Sequence, residues 1–185
     1  MKNISFRKAA IADASAIAAM VNAAYRGDTS RKGWTTEADL LDGSRTDFAD
    51  IVVLLEAAGS VILMAESVDE HSQNSKQMLG SVHLERVDHE GTSAAFFGMF
   101  AINPERQALG MGKQMMQAAE ALVQHEWGAR KMLMDVISVR SELIAFYERR
   151  GYQLTGYARP FPVNPDLWTA KASGLKLVRM EKLLA

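Results

Sequence analysis

The stretch Phe97-Gly98-Met99-Phe100-Ala101-Ile102-Asn103-Pro104-Glu105-Arg106-Gln107-Ala108-Leu109-Gly110-Met111-Gly112-Lys113 carries the most information in the chain. An apolar, aromatic strand feeds a short polar loop, and the loop feeds a helix start. Gly110 and Gly112 lack side chains, so a ligand can come close to the backbone there. The first turn of a helix leaves N–H groups unpaired, and the helix dipole adds partial positive charge. Together these features suit a phosphate or pyrophosphate, and Arg106 and Lys113 add formal charge nearby. A tight strand-to-helix turn without a ligand has the same composition. Two other phosphate-binding loops are excluded. A P-loop needs Ser or Thr after its lysine, and Gln114 stands there; a dinucleotide fingerprint needs a third glycine where Met115 stands.

Outward from this stretch the pattern alternates between strand and helix. Upstream, Ile4 and Phe6 open a strand, and Asp13 is placed to cap a helix carrying Ile17, Met20, Val21 and Ala24. Arg26 to Trp34 reads as a loop, Thr36 to Leu41 as a short helical piece, and Thr46 as the cap of a helix with Phe48, Ile51, Val52 and Leu55. Val61 to Ala65, Met78 to Arg86 and Ala94 to Ile102 read as strands, with Asp69 to Gln77 a hairpin loop and Asp88 to Gly91 a turn. Downstream come a helix from Gly110 to Trp127, a strand from Met132 to Ile137, and a helix from Ser141 to Arg150 ended by Gly151. Strands near Gln153–Ala158 and Leu175–Lys182 follow, separated by an irregular proline-rich segment from Arg159 to Pro165. This order predicts an α/β (mixed α+β) fold with a mixed sheet of about seven strands and helices on both faces.

Composition narrows the function. The chain has 185 residues, no cysteine, and 21 basic against 22 acidic residues, for a formal charge of −1. Residues 1–185 are read as one domain, since no linker or repeat divides them. The absence of cysteine excludes disulfides, thiolate metal sites and a cysteine nucleophile. The balanced charge argues against a nucleic-acid partner. The most apolar run, Ile51 to Ala65, is interrupted by Glu56, Gly59 and Ser60, so no membrane span is expected and the reading is cytoplasmic. His71, His83, His89 and His125 show no metal-ligand spacing, so no metal is expected.

A second constellation follows the next strand, Arg140-Ser141-Glu142-Leu143-Ile144-Ala145-Phe146-Tyr147-Glu148-Arg149-Arg150-Gly151-Tyr152. The pair of segments, Gln107 to Gly112 and Tyr147 to Tyr152, resembles the GNAT superfamily of acyl-CoA-dependent N-acyltransferases. The element order matches that family over nearly the whole chain. The resemblance implies a mostly antiparallel central sheet and transfer of an acetyl group from acetyl-CoA to a small-molecule primary amine by direct attack on the thioester. A CoA-binding module without turnover is the alternative. By the resemblance, the backbone of Phe100, Ala101 and Ile102 holds the pantetheine arm, and Gln107, Ala108, Leu109, Gly110, Met111, Gly112 and Lys113 hold the pyrophosphate. Tyr147 is placed by the sulfur as general acid; on its residues alone it equally joins a core stripe with Leu143, Phe146 and Arg150. Arg140 stands where the family often has an asparagine that contacts the cofactor. Family members are often dimers, which makes a homodimer the expectation.

The acceptor side rests on two irregular segments. Arg26, Arg31, Trp34 and Arg45 lie in or near the first, and Arg159, Phe161 and Trp168 in or near the second. Arginine beside aromatic side chains suits a small amine bearing a carboxylate or phosphate, and packing and capping explain the same residues. Arg31, Trp34, Glu37, Arg159 and Phe161 are the candidate acceptor contacts. For the general base, Glu85 is the first candidate, sharing a strand face with His83, and Glu37 is another. Water, or an amine arriving neutral, also serves.

Overall fold

The computed structural model describes residues 3–33, 35–68, 77–104 and 110–184. The expected hairpin loop from Asp69 falls almost wholly outside these, as do Trp34 and Gln107, Ala108 and Leu109. Among the described residues the chain runs β1 (Asn3–Lys8), α1 (Ala14–Tyr25), α2 (Gly27–Ser30), β2 (Leu41–Gly43), α3 (Phe48–Glu56), β3 (Ser60–Val68), β4 (Gln77–His89) and β5 (Thr92–Ile102). It continues with α4 (Met111–Trp127), β6 (Lys131–Ile137), α5 (Ser141–Glu148), β7 (Gln153–Pro160), β8 (Trp168–Ala170) and β9 (Lys176–Leu183). Seven strands form one sheet in the order β1-β3-β4-β5-β6-β9-β7, antiparallel except where β5 meets β6. This is the mixed, mostly antiparallel sheet that the sequence predicts.

Alternation along the central strands divides the core between two faces. On β3, Ile62 and Met64 face α1 and α3, where they pack with Ile17, Val21 and Ile51. Leu63 and Ala65 face the other way, toward Met111, Met115, Met116 and Val123 of α4 and Tyr147 of α5. On β5, Met99 and Ala101 belong to the first face, Phe100 and Ile102 to the second. Each helix therefore presents a stripe at helical spacing to a strand face of period two.

Five local expectations are corrected. Thr36–Leu41 is not a helix: a single turn after Glu37 leads into β2, which pairs with the unexpected strand β8. Arg140 takes the Thr36 carbonyl at 2.9 Å, and Leu41 is drawn into a small cluster with Ile137, Leu175 and Leu177. Asp47, not Thr46, caps α3, accepting from the Asp50 amide at 2.8 Å. Asp13 does not cap α1; its carboxylate takes the Ala10 amide and both terminal nitrogens of Arg7. The Arg26–Trp34 segment holds the short helix α2, and the proline-rich segment gives up Arg159 and Pro160 to β7.

The sheet carries one irregularity that shapes the molecule. Ser81 is opposite Ala101 and His83 is opposite Gly98, so two steps on β4 face three on β5. The extra residue makes a β-bulge, and Met99 sits there with φ +45°. That conformation costs a non-glycine residue about 1–3 kcal/mol, and burial of the Met99 side chain against Ile62 and Met64 holds it in place.

Two stability measurements follow. Asp47→Ala is expected to lower the unfolding free energy by about 1 kcal/mol in urea titration, because one donor at the start of α3 loses its acceptor. His83 is buried beside the bulge, with Nε2 2.9 Å from the Ser60 hydroxyl. Burial lowers its imidazole below the ordinary 6.5, with Glu85 opposing. As pH falls below that value the unfolded chain takes a proton that the folded one resists, so stability is lost toward acid. His83→Gln should therefore lose less stability than the parent between about pH 7.5 and about pH 5.5; equal losses would take His83 out of the acid sensitivity.

Candidate active site

The bulge and the site are the same feature of the sheet. Strand β5 pairs with β6 over three residues only, Ala94 to Phe96 against Lys131 to Leu133. Beyond that point the strands part, although β6 continues to pair with β9 as far as Ile137. The gap becomes a cavity of about 200 Å³, with Phe97, Gly98, Met99 and Phe100 on one wall and Met134, Asp135, Val136 and Ile137 on the other. A parallel pair opened in this way presents strand backbone to a ligand instead of to a neighbouring strand.

The ends of the cavity come from the loops. Tyr25, Arg26, Glu37 and Arg45 enter from the segment after α1, and Arg159, Phe161, Pro162 and Trp168 from β7 and the segment beyond it. Phe161 and Trp168 meet edge to face, with ring centres 6.3 Å apart. Arg26 and Glu37 form a buried ion pair. Asp135, with its side chain 6% exposed, receives Arg159 at 3.0 Å and Arg179 at 2.7 Å. The hydrogen bonds that Arg179 donates to Asp135 raise its guanidinium above its ordinary value.

Two phenols meet the cavity. Tyr147, from α5, is buried and packs edge to face against Phe146 and Tyr152. Burial pushes its hydroxyl far above the ordinary tyrosine value, and the neighbouring Tyr25 adds to this. Tyr25, at the end of α1, donates its hydroxyl to the Phe100 carbonyl. Its hydroxyl is raised too, first by burial and then by the charge of Glu37. Both groups therefore stay protonated across the accessible pH range. Tyr147 packs in the core and also lines the cavity.

A second, smaller groove of about 100 Å³ adjoins the first through Phe100. Thr35, Ile102, Gly110, Gly112, Lys113, Phe146 and Arg150 complete it. Gly110 precedes α4 with φ +71°, a conformation open to glycine, and a side chain there would project into free space. Arg150 lies over the Phe146 ring, 3.3 Å from its centre, and donates to the Phe146 carbonyl at 2.7 Å. Its Nε is buried with no hydrogen-bond partner among the described residues. Desolvation lowers that guanidinium's pKa, with Arg149 adding to the effect. Two cations, a helix start and an orphaned donor around one groove fit an anion.

The structure gathers most of the residues singled out from the sequence, and it separates some. Phe100, Ile102, Gly110, Gly112 and Lys113 line the smaller groove; Ala101 and Met111 adjoin it in the chain, with side chains buried in the core. Glu37, Arg159, Phe161, Arg140 and Tyr147 line the larger cavity. Arg140 faces that cavity and not the anion groove; its guanidinium holds the Thr35 and Thr36 carbonyls and Glu142. Glu85 is exposed and lines neither space. Arg31 is on the surface, paired with Asp39 at 2.7 Å. Among the described residues no group of three or more His, Asp or Glu could hold a metal, and no helix is long and apolar enough to cross a membrane.

Four lining residues went unnoticed as site candidates. Asp135 had a signal, a charge in the otherwise apolar run Met132 to Ile137. Gly98 likewise marks a bulge inside a strand pattern. Tyr25 and the anion-groove role of Arg150 had none, because both depend on which helix face meets which strand.

The comparisons agree with this geometry. The family model described as an acetyltransferase (GNAT) domain matches residues 58–154, just over half of the chain. No curated protein gives a match. Among solved structures, the spermidine N-acetyltransferase of Vibrio cholerae, in complex with CoA and spermine, superposes with a TM-score of 0.67 at 17% identity, over 98% of this chain and 95% of that one. YncA of Salmonella typhimurium, solved with its cofactor acetyl-CoA, gives 0.65 at 18% identity, over 98% and 94%. A GNAT acetyltransferase of Streptococcus pneumoniae gives 0.63 at 14% identity, over 99% and 100%. These likenesses are of fold, and the sheet they share is the one that parts between β5 and β6 here. With the family model covering strands β3 to β6 and helices α4 and α5, and with them the parted strands and the glycine-led start of α4, the chain belongs to the GNAT family of acetyltransferases.

Proposed function

We propose that the protein is an N-acetyltransferase that moves an acetyl group from acetyl-CoA to the primary amine of a small molecule. The observation that carries this reading is the junction of two grooves at Phe100, one built for an anion and one for an acceptor, with Tyr147 lining the second. In this reading Gly110, Gly112, Lys113 and Arg150 hold the pyrophosphate, and the orphaned Arg150 Nε gains an acceptor. The Phe100–Ile102 backbone lies beside the pantetheine arm. Gln107, Ala108 and Leu109 complete the pyrophosphate loop in the family pattern. The coenzyme supplies an activated thioester.

Tyr147 then serves as the proton donor to the departing sulfur. A thiol of ordinary pKa about 8.5 is more acidic than a phenol of about 10, so transfer from phenol to thiolate is uphill in water. The same burial that raises Tyr147 raises a thiolate released beside it, because desolvation disfavours both anions. The phenol remains the group that holds a proton at every relevant pH. Glu37 lines the cavity and Glu85 does not, and its pairing with Arg26 makes Glu37 an orienting group. The amine's proton then leaves through water.

Two variants test the reading. Gly110→Glu is expected to abolish the heat of acetyl-CoA binding in calorimetry, because it sets a negative charge in the anion groove. Gly110→Ala should retain binding and lose only about 1 kcal/mol of stability, from the left-handed backbone. Tyr147→Phe is expected to lower kcat by about 10²-fold or more with little change in coenzyme affinity. Unchanged turnover in Tyr147→Phe would remove that phenol from the chemistry.

A further inference from the structure

We infer that the acceptor amine also carries an oxyanion, a carboxylate or phosphonate, which Arg45 and Arg159 bind. This deepens the acetyl-transfer reading above and rests on it. The argument is a charge balance over the acceptor cavity. Four arginines line it, Arg26, Arg45, Arg140 and Arg159, against two carboxylates, Glu37 and Asp135. Both carboxylates are already matched. Glu37 pairs with Arg26, and Asp135 is shared by Arg159 and Arg179. Arg140 is matched by Glu142.

Two positive charges are left over. One belongs to the Asp135 cluster, where two guanidinium groups share one carboxylate. Arg159 spends Nε and Nη2 on Asp135, and its Nη1 has no hydrogen-bond partner among the described residues; its side chain is 40% exposed. The other is Arg45, which has no ion pair among the described residues and stands 6.0 Å over the Tyr25 ring. Both border the same cavity of about 200 Å³. Phe161 and Trp168 line the same cavity, and a pair made against that aromatic wall is less fully hydrated, and so worth more, than one on the open surface. A polyamine would bring several ammonium groups to a cavity with no unmatched carboxylate. An amino acid or aminoalkylphosphonate would bring one amine to the thioester side and one anion to the arginines.

The test is coenzyme release with acetyl-CoA and four sets of acceptors: amino acids, aminoalkylphosphonates, the carboxamides of those amino acids, and di- and polyamines. The expected result is kcat/KM for an anionic acceptor about 10- to 100-fold above that of its carboxamide, with polyamines poorer still. Arg45→Gln should lower kcat/KM for the anionic acceptor about tenfold more than for the carboxamide, and Arg45→Lys should recover part of that difference. Turnover of carboxamides or polyamines at least equal to that of the anionic amines overturns the inference and leaves acetyl transfer to amines standing. So does an Arg45→Gln effect equal on anion and carboxamide, in a variant that melts like the parent. No transfer to any amine overturns the acetyl-transfer reading, and this inference with it. The wild-type comparison decides the matter even where the variant fails to fold.

Discussion

The one extra residue in β5 at Met99 is the constraint on which the rest depends. Without it β5 and β6 would keep pairing, and their backbone groups would be satisfied by each other. With it, β5 bends and twists, and pairing with β6 ends after Phe96. The unpaired edges then form the two walls of a cavity inside the sheet. A strained backbone persists only where its surroundings hold it. Here Met99 is held by the α1 and α3 side of the core, and Tyr25 of α1 ties the next carbonyl, that of Phe100. The helices that pack the first face therefore also fix the opening.

The loops that close the cavity are fastened by charge. Removing one partner of a buried ion pair costs about 3–5 kcal/mol, because the other is left uncompensated. That is several times the worth of a surface pair such as Arg31 with Asp39, which contributes about 0–1 kcal/mol. The pairs that matter are accordingly Arg26 with Glu37 and the Asp135 cluster. Arg140 adds a third fastening by taking the carbonyls of Thr35 and Thr36, which carries the first loop across to the start of α5. A small cluster of Leu41, Ile137, Leu175 and Leu177 packs beneath the β2–β8 ribbon and supports the same region. The acceptor side is thus a framework of polar ties over a modest apolar base.

Much of this was legible in the sequence, and the division follows physical range. Helices and strands with a regular stripe, such as Ile17-Val21-Ala24 or Met111-Met115-Ala119, follow from periodicity alone, since the same residues that set the pattern fill the core. The glycine loop before α4 was legible for the same reason: its chemistry is local. What was not legible depends on contacts distant in sequence. Thr36 to Leu41 has helical composition, and its carbonyl is claimed by Arg140, about a hundred residues away. Trp168 to Ala170 becomes a strand only because β2 lies opposite it. Glu85 and His83 alternate correctly, but neither is among the residues that line the cavity. Arg31 and Arg45 look alike in sequence, and only the fold puts one on the surface and the other at the cavity.

The two grooves divide the work by dielectric environment. At the start of α4 the charges are Lys113 and Arg150 with the helix dipole, around the smaller groove. Past Phe100 the lining turns aromatic, and the phenols of Tyr25 and Tyr147 are raised because ionising them there would bury a charge. Charges on either side of the apolar strip between the grooves interact through protein, where they are screened less than in solvent. The strip is built from Phe97, Phe100, Phe146 and Tyr147, which stack edge to face in pairs and belong to or pack on the α4 side of the core. The sole ionisable hydroxyl on the strip, that of Tyr147, is kept neutral by its burial.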